Sequence, residues 1–400
     1  MTSAVRPSRR LLLVTIAIIF IALVLRSPIV AVAPVIDSLR ADLGLSAAFA
    51  SLLTSIPVLA FAVATPFAVW LASRGGTPFA MTAGLGAIIL GTVLRSIDGI
   101  PAVFLGTTLL GVGITVGNVV VPVVIRREYP ASRVRVMTSL YTSVLNVGAT
   151  FATLGAAPID ERYGWRVSLV VWCFAAVVAI AVLLGLNGWR RSLVPTRTPV
   201  DEVPAGQVPP RLFRDPVTWM LAAAFAGQAF SYYGVTAWLP SLLADEVGTD
   251  PTESGAISSI FQICAVIGAF LVPLLASRLG DVAAVAVIGA LWVLVPIGFL
   301  VAPGAWAVWC IAGGVAQGGG FTAIMILIVM VARTDRHASQ LSGVVQGTAY
   351  AVAALGPVVV GGVHEAVGGW TAPLFVILAS TATYLVVGTA AGIRVSSRGE

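Results

Sequence analysis

The chain has 400 residues, 58% apolar and 10% charged, with a formal net charge of +6 and a mean hydropathy of +1.00. This excludes an ordinary soluble globular protein. All 23 basic residues are arginine, and their placement along the chain accounts for the positive charge better than nucleic-acid binding does.

The apolar residues come in blocks of about 20 to 27, each long enough for a helix to cross a bilayer. Twelve such spans are predicted in chain order: 11–36, 46–72, 78–96, 101–125, 136–158, 166–188, 217–243, 254–276, 282–301, 305–331, 340–363 and 371–393. The alternating pattern of a membrane barrel is absent. The first block follows Arg6, Arg9 and Arg10 and contains Ala31-Val32-Ala33, which mimics a cleaved leader. Pro34 comes at once after it and eleven spans follow, so the block is expected to stay as an uncleaved first helix.

Arg26 lies near the middle of that block. A guanidinium stays charged at physiological pH, and a charge at the bilayer centre costs from about 3 to over 10 kcal/mol. The cost is tolerated where the charge lines a wet cavity, pairs with a partner or meets a ligand. No Asp or Glu falls inside a predicted span, so an anion or strongly polar substrate is the expected partner. The blander alternative is that Arg26 only bonds helix carbonyls in a packed core.

The most polar segment, 189–216, holds six prolines and five arginines and reads as a linker. It divides the chain into a bundle at 1–188, the linker 189–216 and a second bundle at 217–400. With the N-terminus inside, eighteen arginines fall in cytoplasmic segments, and only Arg40, Arg95, Arg162 and Arg166 fall outside. This bias places both termini in the cytoplasm and the chain in the plasma membrane. The halves repeat weakly. Leu71-Ala72-Ser73-Arg74 recurs as Leu275-Ala276-Ser277-Arg278, Pro34 as Pro240 ending the seventh span, Pro66 as Pro273, and Gly164-Trp165 as Gly369-Trp370. Two such six-span halves are the architecture of the major facilitator fold, an all-α membrane protein of twelve helices in two pseudo-symmetric bundles. Glycines crowd the fourth span (Gly106, Gly111, Gly113, Gly117) and the tenth (Gly313, Gly314, Gly318 to Gly320), as close helix packing requires.

Polar side chains inside the spans are scarce, and each needs an account. Asn118 and Asn146 lie in the fourth and fifth spans, and Tyr141 is also in the fifth. Tyr141 and Asn146 sit about 140° apart around a helix and are expected on different faces. Tyr232 is the repeat mate of Arg26, and the two are expected to face one another. Gln228, Ser231 and Tyr232 share a helical face by their i, i+3, i+4 spacing. Gln346 and Tyr350 form a second i, i+4 pair, and Gln262 adds an amide in the eighth span. Interhelical hydrogen bonding alone explains any one amide. Arg26 with Tyr232, Gln228 and Gln346 together favours a site for a small planar or linear anion.

Cys173, Cys264 and Cys310 are dispersed within spans, and His337 and His364 are expected at opposite membrane faces. Neither a disulfide framework nor a metal site is expected. The spans hold no paired carboxylates and no nucleophile with its base, so neither an enzyme nor a cofactor is expected. The alternative of the same fold is a proton-driven multidrug exporter, which often uses an intramembrane carboxylate.

Further residues carry a resemblance to a known family. They are Leu25-Arg26 with Pro34, then Leu39-Arg40-Ala41-Asp42-Leu43-Gly44-Leu45-Ser46, Gly117-Asn118-Val119-Val120-Val121-Pro122 and Arg126-Arg127-Glu128-Tyr129-Pro130. Leu140-Tyr141-Thr142, Gln228 ahead of Trp238-Leu239-Pro240, and Leu341-Ser342-Gly343 with Gln346, Tyr350 and Ala354-Leu355-Gly356-Pro357 complete the set. Together they resemble the cyanate transporter and 2-nitroimidazole transporter family of the major facilitator superfamily over nearly the whole chain. Val24, Ser27 and the loop Ala72 to Gly76 depart from the pattern. The resemblance implies a monomeric secondary transporter of a small anionic or nitro-bearing substrate, with a coupled proton as a further partner. It points to Arg26, Asn118, Tyr141, Gln228, Tyr233, Gln346 and Tyr350. Its spacing from Trp238 favours Tyr233 where the repeat favours Tyr232, and both are retained.

Overall fold

The computed structural model describes residues 7–195, 212–331 and 335–397, and most of the expected linker, 196–211, lies outside them. Every regular element among the described residues is helical. The helices are α1 (Pro7–Val30), α2 (Ile36–Leu43), α3 (Ala47–Val63), α4 (Thr65–Gly75), α5 (Thr77–Arg95), α6 (Ile100–Glu128), α7 (Ala131–Tyr163) and α8 (Trp165–Val170). They continue with α9 (Phe174–Leu193), α10 (Pro216–Val247), α11 (Pro251–Leu279), α12 (Asp281–Val301), α13 (Trp306–Val331), α14 (Asp335–Ala353), α15 (Leu355–Val367) and α16 (Thr371–Ser396).

Four of the twelve expected spans are broken, which is why sixteen helices build them. The first stops at Val30, passes through a 3-10 turn at Ala33–Val35 and resumes as α2. Pro34 explains the stop, because it offers no N–H to the carbonyl four residues back. The second bends by 57° between α3 and α4, where Pro66 enters at the start of α4. The sixth passes through a 3-10 turn, Val171–Cys173, and the eleventh is divided only at Ala354, whose dihedrals stay helical (φ −60°, ψ −23°). The seventh span, by contrast, does not end at Pro240. Its helix runs on to Val247 and is closed by Gly248 in the left-handed region. Pro34 and Pro240 are therefore equivalent in sequence offset but not in effect.

Among the described residues, ten helices are long and apolar enough to cross a membrane, and eleven when the bent pair α3–α4 counts as one span. The remaining span is α10. At 32 residues it has ample length, but Gln228, Ser231, Tyr232, Tyr233 and Thr236 dilute its apolar character. Most of its residues are buried, and it packs against α11, α13, α14, α15 and α16. A helix enclosed by protein instead of lipid can carry such groups at little cost.

The chain forms two compact units, Met1–Ala31 with Val63–Pro204 and Val32–Ala62 with Ala205–Glu400. Residues 32–62 thus group with the second unit. In the first unit α1 packs against α6, α7 and α9, and α5 lies along α6 and α9. Arg10 holds Glu128 through two hydrogen bonds, Nε to Oε2 at 3.1 Å and Nη2 to Oε1 at 2.8 Å, joining the starts of α1 and the end of α6.

The glycines of the fourth and tenth spans serve close approach. A methyl at Gly113 would meet the Gly84 carbonyl of α5 at 2.5 Å. Methyls at Gly268 on α11 and Gly318 on α13 would collide with the backbone of the facing helix at Val315 and Ala265. Overpacking a tight core costs about 1–3 kcal/mol, and backbone on both sides puts Gly318 at the high end. Gly318→Val is expected to lower the thermal unfolding midpoint in detergent clearly. An unchanged midpoint would contradict this account of the α11–α13 contact.

Candidate functional site

In the first unit the polar residues gather where α6 and α7 press on α1. Gly148 of α7 lies so close to Leu23 that an added methyl would sit 2.6 Å from its carbonyl oxygen. Gly117 of α6 is seated against the side chain of Leu25. Arg26 follows directly and is half-buried. Its Nη1 donates to Asn146 Oδ1 at 2.6 Å. Asn146 Nδ2 donates in turn to the Thr142 carbonyl at 3.0 Å, which fixes the amide with its oxygen toward the guanidinium. This amide oxygen orients the guanidinium. Asn118, next to Gly117, accepts from Tyr141 Oη at 3.0 Å. Tyr141 and Asn146 therefore bond different helices, α6 and α1.

In the second unit the expected residues fall into three groups. Gln228 is buried, and its Nε2 donates to the Gln317 carbonyl at 3.0 Å. Beside it, Ser231 Oγ accepts from Trp292 Nε1 at 2.8 Å. Tyr232 is also buried, with its hydroxyl 3.4 Å from Gln262 Oε1, while Gln262 Nε2 reaches Thr236 Oγ1 at 3.5 Å. Tyr233 is half-buried and meets the Tyr232 ring edge-on at 4.8 Å. The third group is on α14. Gln346 Nε2 donates to Ser342 Oγ at 2.6 Å, and Tyr350 packs edge-on to Phe225 and Phe61, each at 5.4 Å. Gln346 and Tyr350 are both half-buried, so they keep partial access where Gln228, Tyr232 and Gln262 do not.

Two residues passed over in the sequence matter. Gln317 is buried, and its Nε2 has no hydrogen-bond partner. It carries the same signal as Gln262, an amide in an apolar span. Arg95, counted among the outward arginines, is only 1% exposed. Its Nη1 donates to the Pro28 carbonyl at 2.8 Å and its Nη2 to the Leu169 carbonyl at 3.5 Å. These carbonyls lie where α1 and α8 give out, and helix ends leave such groups without intrahelical partners. Bonding helix carbonyls in a packed core was the alternative weighed for Arg26. Arg95 does this, and Arg26 Nη1 donates to a side-chain amide on α7. Among the described residues no group of three or more His, Cys, Asp or Glu could hold a metal ion.

The profile of the Major Facilitator Superfamily matches residues 11–250 and 240–395. A Bacillus subtilis transporter, YycB, is 32% identical over 94% of this chain and 92% of its own. The 2-nitroimidazole transporter of Escherichia coli is 28% identical over 94% of each chain. The cyanate transport protein CynX of the same organism is 26% identical over 86% of this chain and 87% of its own. Among solved structures, a D-xylose–proton symporter superposes with a TM-score of 0.72 over 96% of this chain and 97% of that one. At 14% identity it speaks for the fold alone. Twelve spans, a profile match that runs through both halves and relatives alike over nearly their full length lead to one conclusion: the chain belongs to the Major Facilitator Superfamily and is a multi-pass membrane transporter.

Proposed function

We propose that this transporter moves a small anion or a nitroheterocycle across the plasma membrane by alternating access, with Arg26 as the anchor for the oxyanion or nitro group. The observation that carries this is the guanidinium of Arg26, half-buried on an apolar helix and oriented by a neutral amide oxygen at 2.6 Å. A guanidinium presents a planar fork that matches two oxygens at once. Asn118 and Tyr141 supply further polar atoms beside the same stretch of α1. The relatives that transport 2-nitroimidazole and cyanate support this substrate class. The arginine bias supports cytoplasmic termini.

The test is uptake into proteoliposomes of 2-nitroimidazole, cyanate, nitrite and an organic cation of similar size. Saturable uptake of the nitro compound or an anion, with the cation inert, is the expected result. Transport of cations with the anions and nitro compound inert would overturn the reading and favour a drug exporter.

A further inference from the structure

At one end of the second unit, α10, α15 and the start of α16 bring together a group that the transport reading does not use. The His364 ring stacks on Trp370 with centroids 4.1 Å apart and planes 22° from parallel. Its Nε2 lies 4.0 Å from Asp245 Oδ2. The same carboxylate oxygen accepts from Trp370 Nε1 at 2.8 Å. His364 Nδ1 is buried without a hydrogen-bond partner. Trp238 backs the cluster, its ring 6.3 Å from Trp370 and 6.5 Å from His364. Its Nε1 donates to the Pro357 carbonyl at 2.8 Å, and Gly361 lets α15 lie against the Trp238 ring.

Each part suits a proton. Histidine is the side chain that ordinarily changes charge between about pH 5 and 8. An aromatic face and a carboxylate beside it both attract the cationic ring. Glu246, Asp250, Glu253 and Glu365 on the adjoining helices point into solvent, as do Asp37 and Asp42 of α2. Arg40 of α2 is paired with Asp37 at 3.2 Å. Asp245 is exposed as well, and what sets it apart is its carboxylate oxygen 4.0 Å from His364 Nε2.

The cluster also sits where a charge change has mechanical reach. α15 is 13 residues long and follows α14 across Ala354, where the backbone stays helical (φ −60°, ψ −23°). α14 carries Gln346 and Tyr350. A cationic His364 is drawn toward Asp245 of α10, while a neutral one is not, so the two states prefer different positions of α15 against α10. That is a differential contact of the kind a ligand needs in order to shift a conformational equilibrium.

We propose that His364 and Asp245, on the platform of Trp370, form a proton-binding site, and that its occupancy biases the position of α15 against α10 and thereby that of α14, which runs into α15 and carries Gln346 and Tyr350. The second half of this statement rests on the transport reading above; the first half does not.

The binding half is read by NMR of the full chain in nanodiscs, labelled at the tryptophan indoles and with no substrate present. The Trp370 indole signal is assigned by its loss in Trp370→Phe. It should move as pH is varied between about 5 and 8 and should be flat in His364→Gln. A flat wild-type signal, or one that moves equally in His364→Gln, overturns proton binding. Asp245→Asn keeps an acceptor for Trp370 but not the charge, and should reduce the movement; full wild-type movement would remove Asp245 from the site. The coupling half is read as uptake of 2-nitroimidazole or cyanate over the same pH range. A several-fold pH dependence in wild type that is lost in His364→Gln supports it, and identical profiles overturn it. Absence of uptake at every pH would count against the transport reading, and the NMR result would stand by itself.

Discussion

Replacing Arg26 with alanine should abolish substrate-induced stabilisation while leaving a folded, membrane-inserted protein. The fold loses little. α1 is held against α7 and α9 mainly by apolar packing, and the close seats at Gly148 and Gly117 involve Leu23 and Leu25, not Arg26. Asn146 keeps its bond to the Thr142 carbonyl. Removing a charge from a membrane span also removes its desolvation cost. Binding, however, loses its anchor. Hydrogen bonds to charged groups contribute about 1.5–3 kcal/mol each, so losing a bidentate pair weakens affinity by roughly 100-fold or more. Arg26→Lys should bind poorly as well, because a point charge replaces a planar fork. The measurement is the ligand-dependent shift of the unfolding midpoint with 2-nitroimidazole, cyanate and nitrite. A wild-type shift in Arg26→Ala would show that the anchor lies elsewhere, and a wild-type shift in Arg26→Lys would show that charge alone suffices.

What could be read from the sequence follows from which signals survive burial. The spans and the linker are written in composition, and a bilayer imposes that composition whatever the tertiary contacts. Arg26, Asn118, Tyr141 and Asn146 stood out because polar side chains in apolar runs are costly enough to be conspicuous. Their separation onto different partners followed from helical geometry alone. The second unit was harder. α10 is enclosed on nearly all sides, so it has no apolar stripe to show which way Gln228, Ser231 or Tyr232 points. The sequence grouped all three on one face by spacing but could not name their partners, which are Gln317 for Gln228, Trp292 for Ser231 and Gln262 for Tyr232. The cluster of Asp245, His364 and Trp370 joins residues up to 125 positions apart, and nothing local announces it.

Arg95 shows the opposite failure, because it stands at the end of a predicted span and looked like an ordinary interfacial arginine. Its replacement should destabilise the protein more than replacement of Arg26 does. The guanidinium is fully buried and satisfies carbonyls from two other helices, at Pro28 and at Leu169. Pro28 is two residues before the end of α1, and Leu169 two before the 3-10 turn Val171–Cys173. Arg95 thus ties together the points at which two spans lose regular hydrogen bonding. Gly106 lies against the Arg95 backbone, which holds α5 close to α6 at this point. Arg95→Ala deletes both bonds, strands two carbonyls and opens a cavity. Each stranded buried group costs about 1–3 kcal/mol, and the cavity adds to that. A fall in the unfolding midpoint of the detergent-solubilised protein, or loss of folded protein from the membrane, is the expected result. Arg95→Lys can reach one carbonyl at best and should recover only part of the loss. Arg95→Met separates packing from bonding, since it fills much of the volume without donating. If Arg95→Met matches wild type in stability, the two carbonyl bonds contribute little and Arg95 acts only as a space-filling side chain. If Arg95→Ala instead keeps full stability but loses the substrate-induced shift expected of Arg26, the roles assigned to the two arginines would have to be exchanged.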